Sequence, residues 1–264
     1  MAGGGRARRP LARAQPPSIR RAAQTLCVSL AVLASAASSV AEVLSAHYAL
    51  PSDVYGHGVL PGGEYAGLVF HLSGDREIAA AAYQAVYEDT APRLVDLDGD
   101  GEAEVITVIS YFDRGAALRI WDEVPSPEHP EGSTMVVIAE TPPIGRAHRW
   151  LAPIGAADLD GDGNIEIAYI DRPHLAKTLR IWRYEGRKLV EVASLNGLTN
   201  HRVGQDFITS GIRDCGQGPE IITVDADWSR IVASRLKDGT VTRRDIARFD
   251  KNAGLTSALA CKAD

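Results

Sequence analysis

Hydrophobic and polar positions along this chain follow an extended rather than a helical pattern. Glu104–Tyr111 (EVITVISY) is a β-branched run too short for a helix. Leu179–Tyr184 and Lys188–Val192 alternate apolar and charged residues. Alternation at period two puts one face of a strand on a core and the other in water. Glu185-Gly186-Arg187 and Lys237-Asp238-Gly239 read as the turns joining such strands. No stretch carries a sustained helical stripe except Glu77–Val86, which fits either element.

Laid on itself, the chain matches at a long offset. Leu94-Val-Asp96-Leu-Asp98-Gly-Asp100-Gly-Glu102-Ala-Glu104-Val-Ile lines up with Ala156-Ala-Asp158-Leu-Asp160-Gly-Asp162-Gly-Asn164-Ile-Glu166-Ile-Ala, 62 residues on. Leu118-Arg-Ile-Trp121 then returns as Leu179-Arg-Ile-Trp182, 61 residues on. A degenerate copy follows, with Gly218-Pro-Glu220-Ile-Ile-Thr-Val-Asp225 aligned on Gly163–Asp171, and an incomplete one precedes at Tyr65–Leu72 and Ala80–Tyr87. Internal periodicity of this size signals stacked supersecondary units. The fold expected is all-β: a propeller-like repeat of about four four-stranded antiparallel blades, small or incomplete, because a lone sheet of that size leaves an apolar face wet. The units run roughly over 48–91, 92–152, 153–206 and 207–264.

The first 41 residues stand apart from this pattern. They hold six arginines and no acid, then the apolar run Leu26–Ala37, then Ser39-Val40-Ala41. A basic stretch, a short apolar stretch and small residues make a secretory signal, leaving 42–264 as the folded domain. An uncleaved anchor, a transit peptide or a later start site are the alternatives. With the leader removed the formal charge moves from −6 to −12. So acidic a chain repels nucleic acid and anionic membranes and attracts divalent cations. Stable membrane insertion is not expected after cleavage, and the location read is periplasmic or secreted. Cys27 goes with the leader, and Cys215 and Cys261 remain. In an oxidising compartment that pair reads as a disulfide tying the tail to the last copy; the alternative is two buried thiols.

The candidate chemistry lies in the matching loops. Asp96, Asp98, Asp100 and Glu104 lie within nine residues, broken by Gly99 and Gly101. Like charges so crowded repel one another unless a cation neutralises them. The donors are hard oxygens, with Glu102 offering a backbone carbonyl, and they suit calcium better than zinc or copper. Asp158, Asp160, Asp162 and Glu166 repeat the set, with Asn164 in place of Glu102. An EF-hand requires Glu at the twelfth position and flanking helices. Thr107 and Tyr169 stand there instead, and strand-like sequence follows. The alternative is an acidic turn that holds no ion. The degenerate copy keeps one acid in this loop, Asp214, and has Cys215 there.

The Asp-Leu-Asp-Gly-Asp-Gly-x-x-Glu pattern followed by a strand resembles the FG-GAP/VCBS repeat family, most closely over Gly155–Gly163. The resemblance covers 92–245 well and 48–91 weakly, and the phenylalanine-glycine part of the family signature is not evident. It implies blades of an integrin-α-like β-propeller, with calcium held by Asp96, Asp98, Asp100 and Glu104 and by Asp158, Asp160, Asp162 and Glu166. It carries no activity for exported bacterial members of this kind. Familiar members have about seven repeats where this chain has room for about four, so a small propeller and an open segment both fit.

A second polar set falls in other loops: Arg146, His148 and Arg149; Asp171 and His174; His201 and Arg202; Asp225, Asp227 and Trp228. Loops at equivalent blade positions converge, so these residues form a candidate face for an anionic or carbohydrate ligand. Hydrogen bonding between blades is the alternative. No nucleophile elbow, P-loop, dinucleotide fingerprint or paired-histidine spacing is present. The expectation is a non-enzymatic, exported module that binds two calcium ions and a protein or carbohydrate partner. The runner-up is an exported propeller-type hydrolase or sugar-binding protein using the His/Arg/Trp face.

Overall fold

The computed structural model describes residues 1–5, 42–130 and 132–262. Most of the predicted leader, 6–41 with Cys27, lies outside the described residues. Met1–Ala37 and Ser38–Asp264 are separate compact units. Of the first, only residues 1–5 are described, and they carry no regular secondary structure. The second is all-β apart from one short helix, as the alternating pattern predicts. No described helix is long and apolar enough to cross a membrane.

Within Ser38–Asp264, strands β1 (Val43–Ser52), β2 (Glu64–Leu72) and β3 (Arg76–Ala81) form the first repeat unit. The second holds β4 (Ala85–Tyr87), β5 (Arg93–Val95), β6 (Glu104–Tyr111), β7 (Gly115–Pro125) and β8 (Ser133–Glu140). These two units share one eight-stranded sheet, because β2 meets β4 at Tyr65 and Tyr87 and β4 pairs with β6. The third unit is a four-stranded sheet of β9 (Leu151–Ala157), β10 (Glu166–Asp171), β11 (Thr178–Glu185) and β12 (Lys188–Asn196). The fourth is a five-stranded sheet of β13 (Leu198–Thr199), β14 (Gly211–Asp214), β15 (Pro219–Asp225), β16 (Arg230–Lys237) and β17 (Thr240–Arg248), followed by α1 (Thr256–Leu259). The ambiguous stretch 77–86 forms no helix: 77–81 belong to β3, 82–84 bend, and 85–86 open β4. β3 lies along β2 with alternate residues exposed, so its alanines serve sheet pairing.

Sheets stack through side chains that alternate between layers. On β6, Val105 and Ile109 join Leu68, Phe70 and Tyr87 on one side, while Ile106 and Val108 join Trp150, Ile167 and Tyr169 on the other. On β10, Ala168 and Ile170 turn to Ile221 and Val232 of the five-stranded sheet. Strands buried on both faces read as continuous apolar runs, which is the pattern of Glu104–Tyr111. Leu255 and Ala258 of the C-terminal segment, rather than a further sheet, cover Ile222 and Val224 on the last one. A disulfide joins Cys215 to Cys261, whose Cα atoms are 5.7 Å apart, and pins that segment down.

The first strand of each repeat differs from one unit to the next. In the third unit β9 runs the length of β10 with a bulge at Ile154. In the second, the corresponding strand is split into β4 and β5 by residues 88–92. In the fourth it is split into β13 and β14 by residues 200–210. These breaks bring Glu88 and His201 to the side where the 146–150 and 172–177 loops lie.

Candidate functional site

The two carboxylate loops share one backbone. Asp96 accepts from the amides of Gly99 (2.7 Å) and Gly101 (3.1 Å); Asp158 accepts from Gly161 (2.7 Å) and Gly163 (3.0 Å). Gly99, Gly101, Gly161 and Gly163 all have positive φ, between 80° and 93°. That left-handed geometry suits glycine and bends each loop inward. Leu97 and Leu159 anchor the loops in the cores on either side of the four-stranded sheet. The closing glutamates begin the next strand, are buried, and accept the leucine amides: Glu104 from Leu97 at 2.7 Å, Glu166 from Leu159 at 2.8 Å.

In each loop three residues bring one carboxylate oxygen apiece within 4.8 Å of one another: Asp96, Asp98 and Glu104, then Asp158, Asp160 and Glu166. Calcium–oxygen bonds of about 2.3–2.6 Å put opposite ligands about 4.6–5.2 Å apart, so this spacing fits that ion. Asp100 and Asp162 are outside these trios and accept from the amides of Glu102 (2.8 Å) and Asn164 (2.9 Å). The side chain of Asn164 also donates to Asp162, at 2.9 Å.

Electrostatically the loops differ. Burial, reinforced by Asp98 and Asp122, pushes the Glu104 carboxyl up to about 7. Asp122, also raised by burial, pairs with Arg187 at 3.3 Å, and no described cationic side chain forms an ion pair with Asp96, Asp98, Asp100 or Glu104. In the second loop Arg183 donates from Nε to Glu166 at 2.7 Å and from Nη2 to Asp160 at 2.7 Å, with Nη1 2.7 Å from Asp162. Burial raises Glu166 as well, but Arg183 opposes it. Hydrogen bonding from the Asn164 amide, together with Arg183, holds Asp162 below its usual range.

The degenerate loop keeps the turn with a single acid. Asp214 accepts from Gly216 at 2.7 Å and Gly218 at 3.1 Å. Glu220 stands where Glu104 and Glu166 stand, buried beneath Arg213 (2.9 Å), Arg235 (3.0 Å) and Arg244 (3.1 Å). Although burial pushes the Glu220 carboxyl upward, the arginines hold it below its ordinary value.

Of the second polar set, the structure brings His148, His174 and His201 around Trp150. Trp150 and His201 meet edge to face at 4.9 Å, and His174 and His201 lie 5.2 Å apart between ring centroids. His201 Nε2 faces the Gln205 carbonyl at 3.0 Å, so the proton sits there, and His201 Nδ1 accepts from His174 Nε2 at 3.1 Å. Burial, with neighbouring His201 and His57, pushes His174 down to about 4. His148 donates its backbone amide to the Tyr55 hydroxyl at 2.6 Å and its ring Nε2–H to the Tyr55 carbonyl at 2.9 Å. Arg149 folds back onto the His148 carbonyl at 2.6 Å, and Arg146 is exposed.

The other members of that set serve other roles. Asp171 is taken by Arg172 at 2.8 Å and Arg180 at 3.0 Å. Asp225 accepts from Ser229 and Arg230 in the β15–β16 turn. Arg202 lies 4.1 Å over the Trp228 ring, which packs on Phe249, while Asp227 points to solvent.

Sequence reasoning missed Tyr55, His57 and Glu88. His57 donates from Nδ1 to buried Glu88 at 2.7 Å, and Glu88 also accepts from Ser110 at 2.6 Å. The only sequence signal was the short Gly56-His57-Gly58. Asp122 and Arg183 were missed too, although both lie in the aligned Leu-Arg-Ile-Trp segments, directly after the tryptophan. Neither the family models searched nor the curated proteins searched give a match to this chain.

Proposed function

We propose that this chain is an exported, calcium-binding repeat protein of the FG-GAP/VCBS kind that works as an interaction module for a protein or carbohydrate partner. The observation that carries the reading is the convergence of three carboxylate oxygens, within 4.8 Å, in two loops that are copies of each other. Asp96, Asp98 and Glu104 would hold one ion, and Asp158, Asp160 and Glu166, which Arg183 already contacts in part, a second and weaker one, with Asp100 and Asp162 close by. A bound ion would neutralise charge that otherwise opposes folding and so couple metal binding to loop order. The pairing of Cys215 with Cys261 supports export, since such bonds persist in oxidising compartments.

The test is thermal unfolding after chelation and after calcium is restored. Calcium at a hundredfold excess over Kd stabilises by about 2.7 kcal/mol per site. For a domain of this size that raises Tm by roughly 5–10 °C. Identical melting with chelator and with calcium would remove the basis of the reading.

A further inference from the structure

We infer that the residue facing the buried glutamate across the sheet decides what neutralises each loop: a free divalent cation in the first, the tethered guanidinium of Arg183 in the second. The inference rests on the cation reading for the first loop, while the role of Arg183 stands on geometry alone.

The three closing glutamates occupy one register position. Glu166 pairs across β10–β11 with Arg183. One step beyond Val105↔Trp121 places Asp122 opposite Glu104, and one step beyond Ile221↔Ser234 places Arg235 opposite Glu220. The series is therefore acid, arginine, arginine. Arg183 touches three carboxylates of its loop through three different nitrogens, each at 2.7 Å. A planar fork of donors matches carboxylates in this way, and it takes up two of the converging trio, Asp160 and Glu166, together with Asp162, while Asp158 is left to the glycine amides.

The fourth unit supplies an independent comparison. Its loop has lost the carboxylate trio, yet Glu220 is still buried, held by Arg213, Arg235 and Arg244. Arginine by itself thus suffices to hold the glutamate in this fold. The first loop has the opposite arrangement. Asp122 adds a like charge near Asp98 and Asp100 where the second loop has an arginine, and its partner Arg187 comes from an exposed turn of the next sheet. One loop demands an added cation and the other carries its own.

The experiment is calorimetric calcium titration of the chelator-stripped full chain, with melting in EDTA, for wild type, Asp122→Arg and Arg183→Gln. Wild type is expected to bind one calcium at least roughly tenfold more tightly than a second. Asp122→Arg should lose that tight equivalent and melt higher than wild type in EDTA. Arg183→Gln should melt lower in EDTA and gain a second tight equivalent. Should it fail to fold, Arg183→Lys keeps the charge without the fork and is expected to strengthen the second equivalent by a smaller factor. Two wild-type equivalents of similar affinity, unchanged by either Arg183 variant, would overturn the inference and leave the calcium reading standing. No calcium heat in any variant, with the two EDTA shifts still present, would end the calcium reading and keep Arg183 as the loop's internal cation. Absence of both the heat and the shifts would overturn both.

Discussion

Trp182 donates its indole N–H to the Tyr169 hydroxyl at 3.0 Å, and one repeat earlier Trp121 donates to Thr107 at 3.0 Å. The tryptophan is the same in both copies but the acceptor is not. In each case a neighbouring strand supplies the oxygen that a buried indole requires. Tyr169→Phe removes the acceptor and strands the donor, which costs about 1–3 kcal/mol. Urea unfolding should show a lower midpoint with unchanged slope. An unaltered midpoint would mean that water reaches the indole instead.

Gly115 has φ of +78°, and a Cβ there would overlap the Arg146 carbonyl of the loop that carries His148. The Ala116 amide donates to the Arg149 carbonyl, so turn and loop are clamped together. Gly115→Ala is expected to destabilise by about 4 kcal/mol or more, at the upper end for a single change. Gly186→Ala, with φ of +55° and open space around it, serves as the control and should cost about 1–2 kcal/mol. Soluble yield and urea midpoints separate the two.

The Cys215–Cys261 bond spans a sequence separation of 46. Loop-closure entropy for a ring of that size gives about 4 kcal/mol of stabilisation. Replacing both cysteines with serine should lower stability by up to that amount. It should also expose the segment around Leu255 and Ala258 to protease before the rest of the domain is cut, because that segment covers the last core through few buried side chains and is otherwise exposed.

Two groups, buried Glu104 and half-buried His174, give the metal-free protein opposing pH dependences. The folded state pushes Glu104 from 4.5 up to about 7, so it binds the proton more tightly than the unfolded chain does. Its contribution is present in acid and is lost as pH rises through that window. His174 is pushed from 6.5 down to about 4, and its contribution, present above 6.5, is lost as pH falls. In chelator, Glu104→Gln should therefore raise Tm at pH 7 with a gain that vanishes near pH 4.5. His174→Asn should flatten the loss of stability between pH 6.5 and 4. Parallel curves for variant and wild type would show that neither group titrates as its burial implies.

What the chain determines by itself is whatever lies close along it. Strand character follows from alternation within a few residues, the repeat from an offset of 61–62, and the carboxylate loops from acids packed into nine positions. The cysteine pair was legible too, because only two cysteines follow residue 41 and they had only each other. Tertiary structure decided what surrounds each loop. Arg183 reaches Glu166 from 17 residues away, and which residue faces that glutamate depends on the register in which β10 and β11 pair. His148 meets Tyr55 across 93 residues because the sheets stack and split strands bring distant loops to one side. Period and spacing are encoded by neighbours along the chain, whereas the charge opposite a buried carboxylate is set only when strands pair, and desolvation then makes that one choice count.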